Sequence, residues 1–238
     1  MRSPYGLELI ESCQTCRARG ERFFCKLGQN ALRDLEAVKF TNSYPEGAVL
    51  FVEGQTPRGV FVLCQGRVKL STSSSEGKTL ILRIARPGEV LGLGAVVTGQ
   101  PYEVTAEALH PCQVNFVGRD DFLRLLRVHG EAGVRAAENL SLDYSSVTEQ
   151  LRTLGLASSA PEKLARLLLD WSEDGEPSPQ GTRVKLGLTH EEIAQFIGTS
   201  RETVTRILGE FRAHHLASLR GATLVIQNKA GLENYISG

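Results

Sequence analysis

Two groups of residues in this chain have the types and spacing that chemistry needs. The first is Cys13, Cys16 and Cys25, within CQTCRARGERFFC. A C-x2-C pair lets two thiolates hold one centre from a single turn, and a cysteine nine residues later can close over it. The thiolate is the actual ligand, and neighbouring cations favour it, here Arg17, Arg19 and Arg22. An iron–sulfur cluster takes four protein ligands, usually all thiolate, whereas structural zinc takes four from cysteine and histidine. No histidine lies in this segment, so a fourth ligand must come from elsewhere, and Cys64 and Cys112 are the remaining cysteines. A plain thiol redox role or a structural role is the competing reading of the same residues.

The second group is Arg201, Glu202, Thr205 and Arg206. Arginine can hold guanine O6 and N7 with two hydrogen bonds, glutamate can accept from cytosine N4, and the first residues of a recognition helix reach base edges. The stretch that must position them is THEEIAQFIGTSRETVTRIL, residues 189–208. Thr189 and Glu192 form a capping box that starts a helix. Ile193 and Ile197 share its buried face, Ala194 permits a close helix crossing, and Gly198 permits the left-handed conformation that ends it. Thr199 and Ser200 are good N-caps for a second helix, in which Val204 and Ile207 return at helical spacing to pack under the first. A solvated helix face would also carry such charges. The coincidence of small residue, glycine and β-branched residues at the spacing of a helix-turn-helix favours DNA reading.

The rest of the chain supplies the frame. Its 238 residues suggest one large or two ordinary domains, and 41% hydrophobic content is enough for proper cores. The formal net charge is +0, so binding to nucleic acid must depend on a local basic face and specific contacts, not on general attraction. No apolar run of membrane-spanning length and no signal-peptide pattern occurs, so a cytoplasmic protein without a membrane partner is expected. Under reducing conditions cysteines serve as ligands, sensors or core residues in preference to structural disulfides.

Residues 1–30 form a cysteine-containing segment. From 31 to 129 the texture is β: glycines punctuate short alternating runs such as VFVLCQ, RVKLS, TLILRIA and CQVNFV, which indicates an antiparallel sandwich or roll. A metal-binding enzyme of the cupin type would need clustered histidines inside, and only His110 and His129 occur there. Cys64 in FVLCQ, and Cys112 alternating with Val114 and Phe116 on the inward face, also fit small buried thiols. Residues 130–157 read as a long helix. Leu140, Tyr144, Val147, Leu151 and Leu154 recur at steps of four and three, a seam for pairing two copies. A symmetric dimer would set two recognition helices about one DNA turn apart. Ala157 to Pro161 is a hinge, PEKLARLLLDWSED an amphipathic helix, and Gly175 to Gly181 a loop. After the recognition helix, FRAHHLASL is expected to finish the helical part. Arg220-Gly221 then turns between short strands, the wing of a winged helix over 158–238. Lys185, Arg212, His214 and Arg220, with Thr189 and Ser200, are the expected phosphate contacts.

The whole chain resembles the Crp/Fnr family of transcription regulators. The resemblance lies in PEGAVLFVEGQTPRGVFVLCQGRVKL, in PGEVLGLGAV, in the long helix and in TSRETVTRIL. It implies an α+β protein: an N-terminal cyclic-nucleotide-binding-like antiparallel β-roll, a long dimerisation helix and a C-terminal winged helix-turn-helix. It further implies no enzymatic activity, a homodimer on palindromic double-stranded DNA, and contact with RNA polymerase. Arg201, Glu202 and Arg206 match the triplet with which the cyclic-AMP-responsive branch reads TGTGA-type half-sites. The cyclic-nucleotide binders carry a glutamate and an Arg-Ser pair where this chain has Leu93 and Tyr102-Glu103. A carboxylate facing a cyclic phosphate would repel it, so cyclic AMP is not expected to bind in the usual way. The N-terminal cysteines resemble those of the oxygen-sensing branch, which implies a [4Fe–4S] cluster on Cys13, Cys16 and Cys25 with Cys112 as fourth ligand. The third cysteine is spaced wider than in that branch, and the branch's own fourth position falls near Asn115. Thiol oxidation, or an unknown small ligand in the roll, is the alternative signal.

Overall fold

The computed structural model describes residues 5–16, 24–173 and 175–237. Arg17, Arg19 and Arg22 lie outside the described residues. The chain divides into two compact units, one of residues 1–72 and 82–146, the other of residues 73–81 and 147–238.

In the first unit, helix α1 (Gln29–Val38) precedes eight strands: β1 (Lys39–Tyr44), β2 (Val49–Phe51), β3 (Gly59–Gln65), β4 (Val68–Ser73), β5 (Thr79–Ala85), β6 (Val90–Leu91), β7 (Thr105–Ala108) and β8 (Cys112–Gly118). They form two four-stranded sheets, ordered β1-β8-β3-β6 and β2-β7-β4-β5. Short helices α2 (Leu93–Thr98) and α3 (Arg119–Val128) complete the roll before the long helix α4 (Gly130–Leu156). The sequence reading missed α1, because its buried Ala31, Leu32 and Leu35 are few and lack a side-chain cap.

Side chains on a strand alternate between its faces, and β3 separates two cores in this way. Phe61 and Leu63 join Phe51, Leu70, Ala106 and Val114 in the core between the sheets. Val60 and Val62 belong to a second core, where Leu32, Leu35, Phe122 and Ala132 from the helices cover the outer face. Helix α4 is fastened to the roll by Asn139, whose side-chain oxygen accepts from the Val90 N–H at 2.9 Å. Arg83 ties the same region together, pairing with Glu89 and with Asp143. Of the seam residues, Tyr144 is 75% and Leu151 64% exposed, Leu140 is also exposed, and Val147 and Leu154 are half-buried.

The second unit contains α5 (Ala160–Ser172), β9 (Glu176–Ser178), β10 (Gly181–Lys185), α6 (His190–Ile197), α7 (Arg201–Ala213), β11 (Ala217–Arg220), β12 (Thr223–Ile226) and α8 (Lys229–Ser237). The strands form one antiparallel sheet, β11-β12-β10-β9. Two readings change here. The expected loop over 175–181 contains β9, because Glu176 and Ser178 pair with β10. The segment ASL is part of a strand instead of a helix end: α7 stops at Ala213, His215 takes a positive φ of 54°, and the chain turns back to pair with β12. The turn around Gly221 (φ 56°) is present as read, and α8 follows where the sequence reading had ended. Within the second unit, Gln150 donates to the carbonyls of Ile81 (3.2 Å) and Phe196 (2.6 Å).

Candidate functional site

The helix-turn-helix is built from local interactions. Thr189 Oγ1 accepts from the Glu192 N–H at 3.2 Å, and the Glu192 carboxylate accepts in return from the Thr189 N–H at 2.9 Å. Helix α6 ends at Gly198 with φ 64° and ψ 40°, the left-handed geometry that a side chain would strain. Ser200 Oγ then caps α7 by accepting from the Thr203 N–H at 3.2 Å. Ile193, Ala194 and Ile197 from α6 and Val204, Ile207 and Leu208 from α7 are all buried. Burying those leaves Arg201, Glu202, Thr205 and Arg206 exposed on the remaining face of α7.

Each of the four has a defined setting. The Glu202 carboxyl is held below the usual glutamate range by its own backbone N–H and by the Ser200 hydroxyl, so it stands ionised as an acceptor. Arg206 pairs with Glu210 one turn on, at 2.6 Å, in an exposed ion pair. The Thr205 hydroxyl donates to the Arg201 carbonyl at 2.9 Å. His190 Nδ1 lies 2.8 Å from that same oxygen. A hydroxyl has one proton, so His190 must be the donor to Thr205, and the Thr205 methyl is what remains for a base. His190 escaped the sequence reading because fifteen residues separate the partners.

The same unit carries further exposed basic side chains. Lys185 and Arg220 both pair with Thr223, from opposite sides of β12, so their side chains leave the sheet on one face. Arg183, two residues before Lys185, shares that face and is exposed. It was not singled out from sequence, where period-two alternation within RVK is its only signal. Arg212 is exposed and falls on the stripe of α7 that Arg201 and Thr205 share, while Thr189 and Ser200, also exposed, spend their hydroxyls on caps.

The cysteines are divided by the sheet. Cys13 is half-buried against the helix-covered core, its Sγ 3.5 Å from Lys39 Nζ and 3.6 Å from Asn115 Nδ2. Burial raises its pKa despite the opposing Lys39 charge; the arginines expected to lower it lie outside the described residues. Cys112 lies on the opposite face of the same sheet, in the core between the sheets with Leu63 and Val114. Its Sγ lies 2.9 Å from the His110 carbonyl and 3.3 Å from that of Arg67, with one S–H proton to donate to either, and burial pushes its pKa up to about 11. This corrects the expected ligand set: strand alternation turns Cys112 away from the side on which Cys13 stands. Asn115, the resemblance's own fourth position, does face Cys13. Cys64 is pushed up to about 12, by burial first and then by Cys25, Cys13 and Cys16. Among the described residues no three of His, Cys, Asp and Glu are already arranged to hold a metal ion.

In the roll, Tyr102 is buried, stacks on Phe51 with ring centroids 4.1 Å apart, and donates to the Gly59 carbonyl at 2.7 Å. It packs so closely over Gly92 that a Cβ there would meet its ring at 2.6 Å. Leu93 is buried and Glu103 is exposed.

A two-sheet roll, a long helix and a capped helix-turn-helix with a wing define a DNA-binding transcription regulator. The cyclic nucleotide-binding domain family matches residues 41–129, and the Crp-like helix-turn-helix domain family matches residues 162–235. The global nitrogen regulator of Synechocystis sp. is 27% identical over 192 residues, which cover 80% of this chain and 85% of that protein. The cAMP-activated global transcriptional regulator CRP of Salmonella typhimurium is 27% identical over 188 residues, covering 78% and 88%. Two solved structures share the fold. The c-di-GMP responsive regulator CLP of Xanthomonas campestris matches with TM-score 0.74 and 20% identity, covering 84% of this chain and 99% of that one. FixK2 of Bradyrhizobium japonicum matches with TM-score 0.72 and 21% identity, covering 83% and 97%. The chain belongs to the Crp/Fnr family of transcription regulators, whose members bind DNA, dimerise and are not enzymes. Among the described residues no helix is long and apolar enough to cross a membrane.

Proposed function

We propose that the chain works as a homodimer that reads a palindrome of TGTGA-like half-sites and responds to oxygen or redox state. Arg201, Glu202, Thr205 and Arg206 read base edges, and Thr189, Ser200, Lys185, Arg212 and Arg220 hold phosphates. Residues 130–157 pair the two copies along Leu140, Tyr144, Val147, Leu151 and Leu154, residues 31–129 form the sensory roll, and residues 158–238 bind DNA. RNA polymerase is the further partner. The observation that carries the reading is the exposed face of α7, where a positioned carboxylate and two guanidinium groups stand together on a helix capped at its start. The signal enters at the N-terminal segment, residues 1–30, where Cys13, Cys16 and Cys25 are donors of the kind that an iron–sulfur centre takes. When bound, such a centre supplies electron-transfer chemistry tuned by hydrogen bonds and solvent exposure.

The test measures binding of anaerobically purified and air-exposed protein to a TGTGA palindrome and to one with a single base pair of each half-site exchanged. The expected result is that each exchange costs about 1–3 kcal/mol and that air changes the affinity. Equal binding to both operators would overturn the half-site, and identical binding before and after air would overturn the signal. A second reading of the signal, a small ligand in the roll that is not cyclic AMP, draws on Tyr102, which fills the turn beside Gly92. It also draws on a hollow lined by Phe51, Arg58, Phe61, Tyr102 and Phe116.

A further inference from the structure

We propose that His190, a residue of α6 and not of the recognition helix, is a positioning residue for base reading. Its ring holds the Thr205 hydroxyl back against the protein, so that Thr205 meets the DNA with its methyl group and selects the C5-methyl of a thymine. The inference rests on the reading of α7 as the base-reading helix and names how one of its four exposed residues discriminates.

The placement begins at the start of α6. Thr189 and Glu192 bond reciprocally across its first turn, which fixes the backbone of His190, the first residue of the helix. Ala194 and Ile197 are buried, and His190 extends their stripe by one turn at helical spacing. Helix α6 packs on α7. From this position the half-buried His190 ring reaches the exposed Thr205, with Nδ1 2.8 Å from Oγ1.

Proton bookkeeping then fixes what Thr205 can offer. A threonine in a helix divides between two side-chain rotamers, where valine keeps one. The Thr205 hydroxyl donates to the Arg201 carbonyl at 2.9 Å. A carbonyl only accepts and a hydroxyl has one proton, so the bond between Thr205 and His190 takes its proton from Nδ1. Together the two bonds hold one rotamer. In that rotamer the hydroxyl has no proton left for the acceptors of a base edge, which are N7 and O6 of guanine, N7 of adenine and O4 of thymine. The methyl remains, and apolar contact with a thymine methyl is the pairing such a group makes in the major groove. Arg201 and Arg206 keep their donors for guanine, so the threonine adds a discrimination that they do not supply: thymine against a base without the methyl.

The experiment uses the full chain, purified anaerobically, and the operator that the parent recovers from randomised double-stranded DNA, so that no half-site is presupposed. Each thymine is replaced in turn by deoxyuridine, which removes only the methyl, and affinity is read by fluorescence anisotropy. The expected result in the parent is a loss of about fourfold at one position of each half-site, roughly the 0.8 kcal/mol of one buried CH2. Thr205→Ser should abolish that uracil penalty. His190→Ala should diminish it, and His190→Asn, which presents an amide N–H in place of Nδ1–H, should restore it. In the Thr205→Ser background His190→Ala should change the penalty no further. An undiminished uracil penalty in His190→Ala would overturn the positioning role, and a loss shared equally by thymine and uracil operators would make His190 a phosphate contact instead. A parent that selects a sequence but ignores every uracil would overturn the methyl contact and leave base reading by α7 standing, whereas recovery of no sequence would overturn base reading itself. Thermal unfolding checks each variant. If His190→Ala does not fold, nitrogen-15 NMR of the parent in alkaline buffer decides: the His190 proton must sit on Nδ1 and lose that preference in Thr205→Val, and a proton on Nε2 in the parent would overturn the inference.

Discussion

Arg206 separates folding from reading, because its contacts within the protein are weak and its proposed contact with DNA is strong. Its side chain is 61% exposed and its guanidinium pairs with the carboxylate of Glu210, a side chain that is 45% exposed. An exposed pair four residues apart on a helix contributes about 0.3–0.5 kcal/mol. A bidentate contact to guanine contributes about 1–3 kcal/mol of discrimination, which at about 1.4 kcal/mol per tenfold is roughly 5- to 140-fold in affinity. Arg206→Ala should therefore leave the unfolding midpoint nearly unchanged. Fluorescence anisotropy should show that it weakens binding to a TGTGA palindrome by that factor, while binding to an operator with the cognate guanine exchanged hardly changes. Glu210→Ala removes the competing carboxylate and should preserve the discrimination. Salt titration supplies the control: Arg220→Ala, at a phosphate position, should weaken all sequences alike and lower the slope of log affinity against log salt by about one. If Arg206→Ala weakens cognate and exchanged operators equally, Arg206 holds a phosphate and the assignment of the reading face is wrong.

Other outcomes follow from the same contacts. Thr189→Ala removes the capping box and should cost about 1 kcal/mol, seen by denaturation followed through Trp171, the chain's 1 tryptophan, which packs edge-on against Phe196 of α6. Gly198→Ala forces a side chain into the left-handed region and should cost about 1–2 kcal/mol in the same assay. Burial, outweighing the Arg83 charge, lifts the Asp143 pKa from 3.8 to about 6. A carboxyl raised on folding binds its proton more tightly in the native state, so its contribution is complete below 3.8 and is lost as pH rises through about 6. Denaturation midpoints measured across that window should fall with pH in the parent more than in Asp143→Asn. Leu151→Glu places a charge on an exposed apolar position of α4 and should shift the sedimentation coefficient toward the monomer, where an unchanged dimer would remove Leu151 from the seam.

The helix-turn-helix was legible in the sequence because each of its devices is local. The capping box spans Thr189 to Glu192, the left-handed stop is the single residue Gly198, and the buried positions repeat within one or two turns. The strands VFVLCQ and CQVNFV were legible for a similar reason, since alternation is a property of consecutive residues. Helix α1 and strand β11 were not. The first has a short buried stripe and no cap, and the second depends on pairing with β12 after the reversal at His215.

The chemistry of the cysteines divides along the same line. Their number, the C-x2-C spacing and the lack of a nearby histidine were set by the sequence. That Cys112 faces away from Cys13 was not. That depends on glutamines that bind the N-terminal segment from 57 and 103 residues away, and on the face that each strand turns to the helices. A one-residue slip in a strand moves every side chain to the other face. No window of neighbouring residues records that choice; only the closed sheet does.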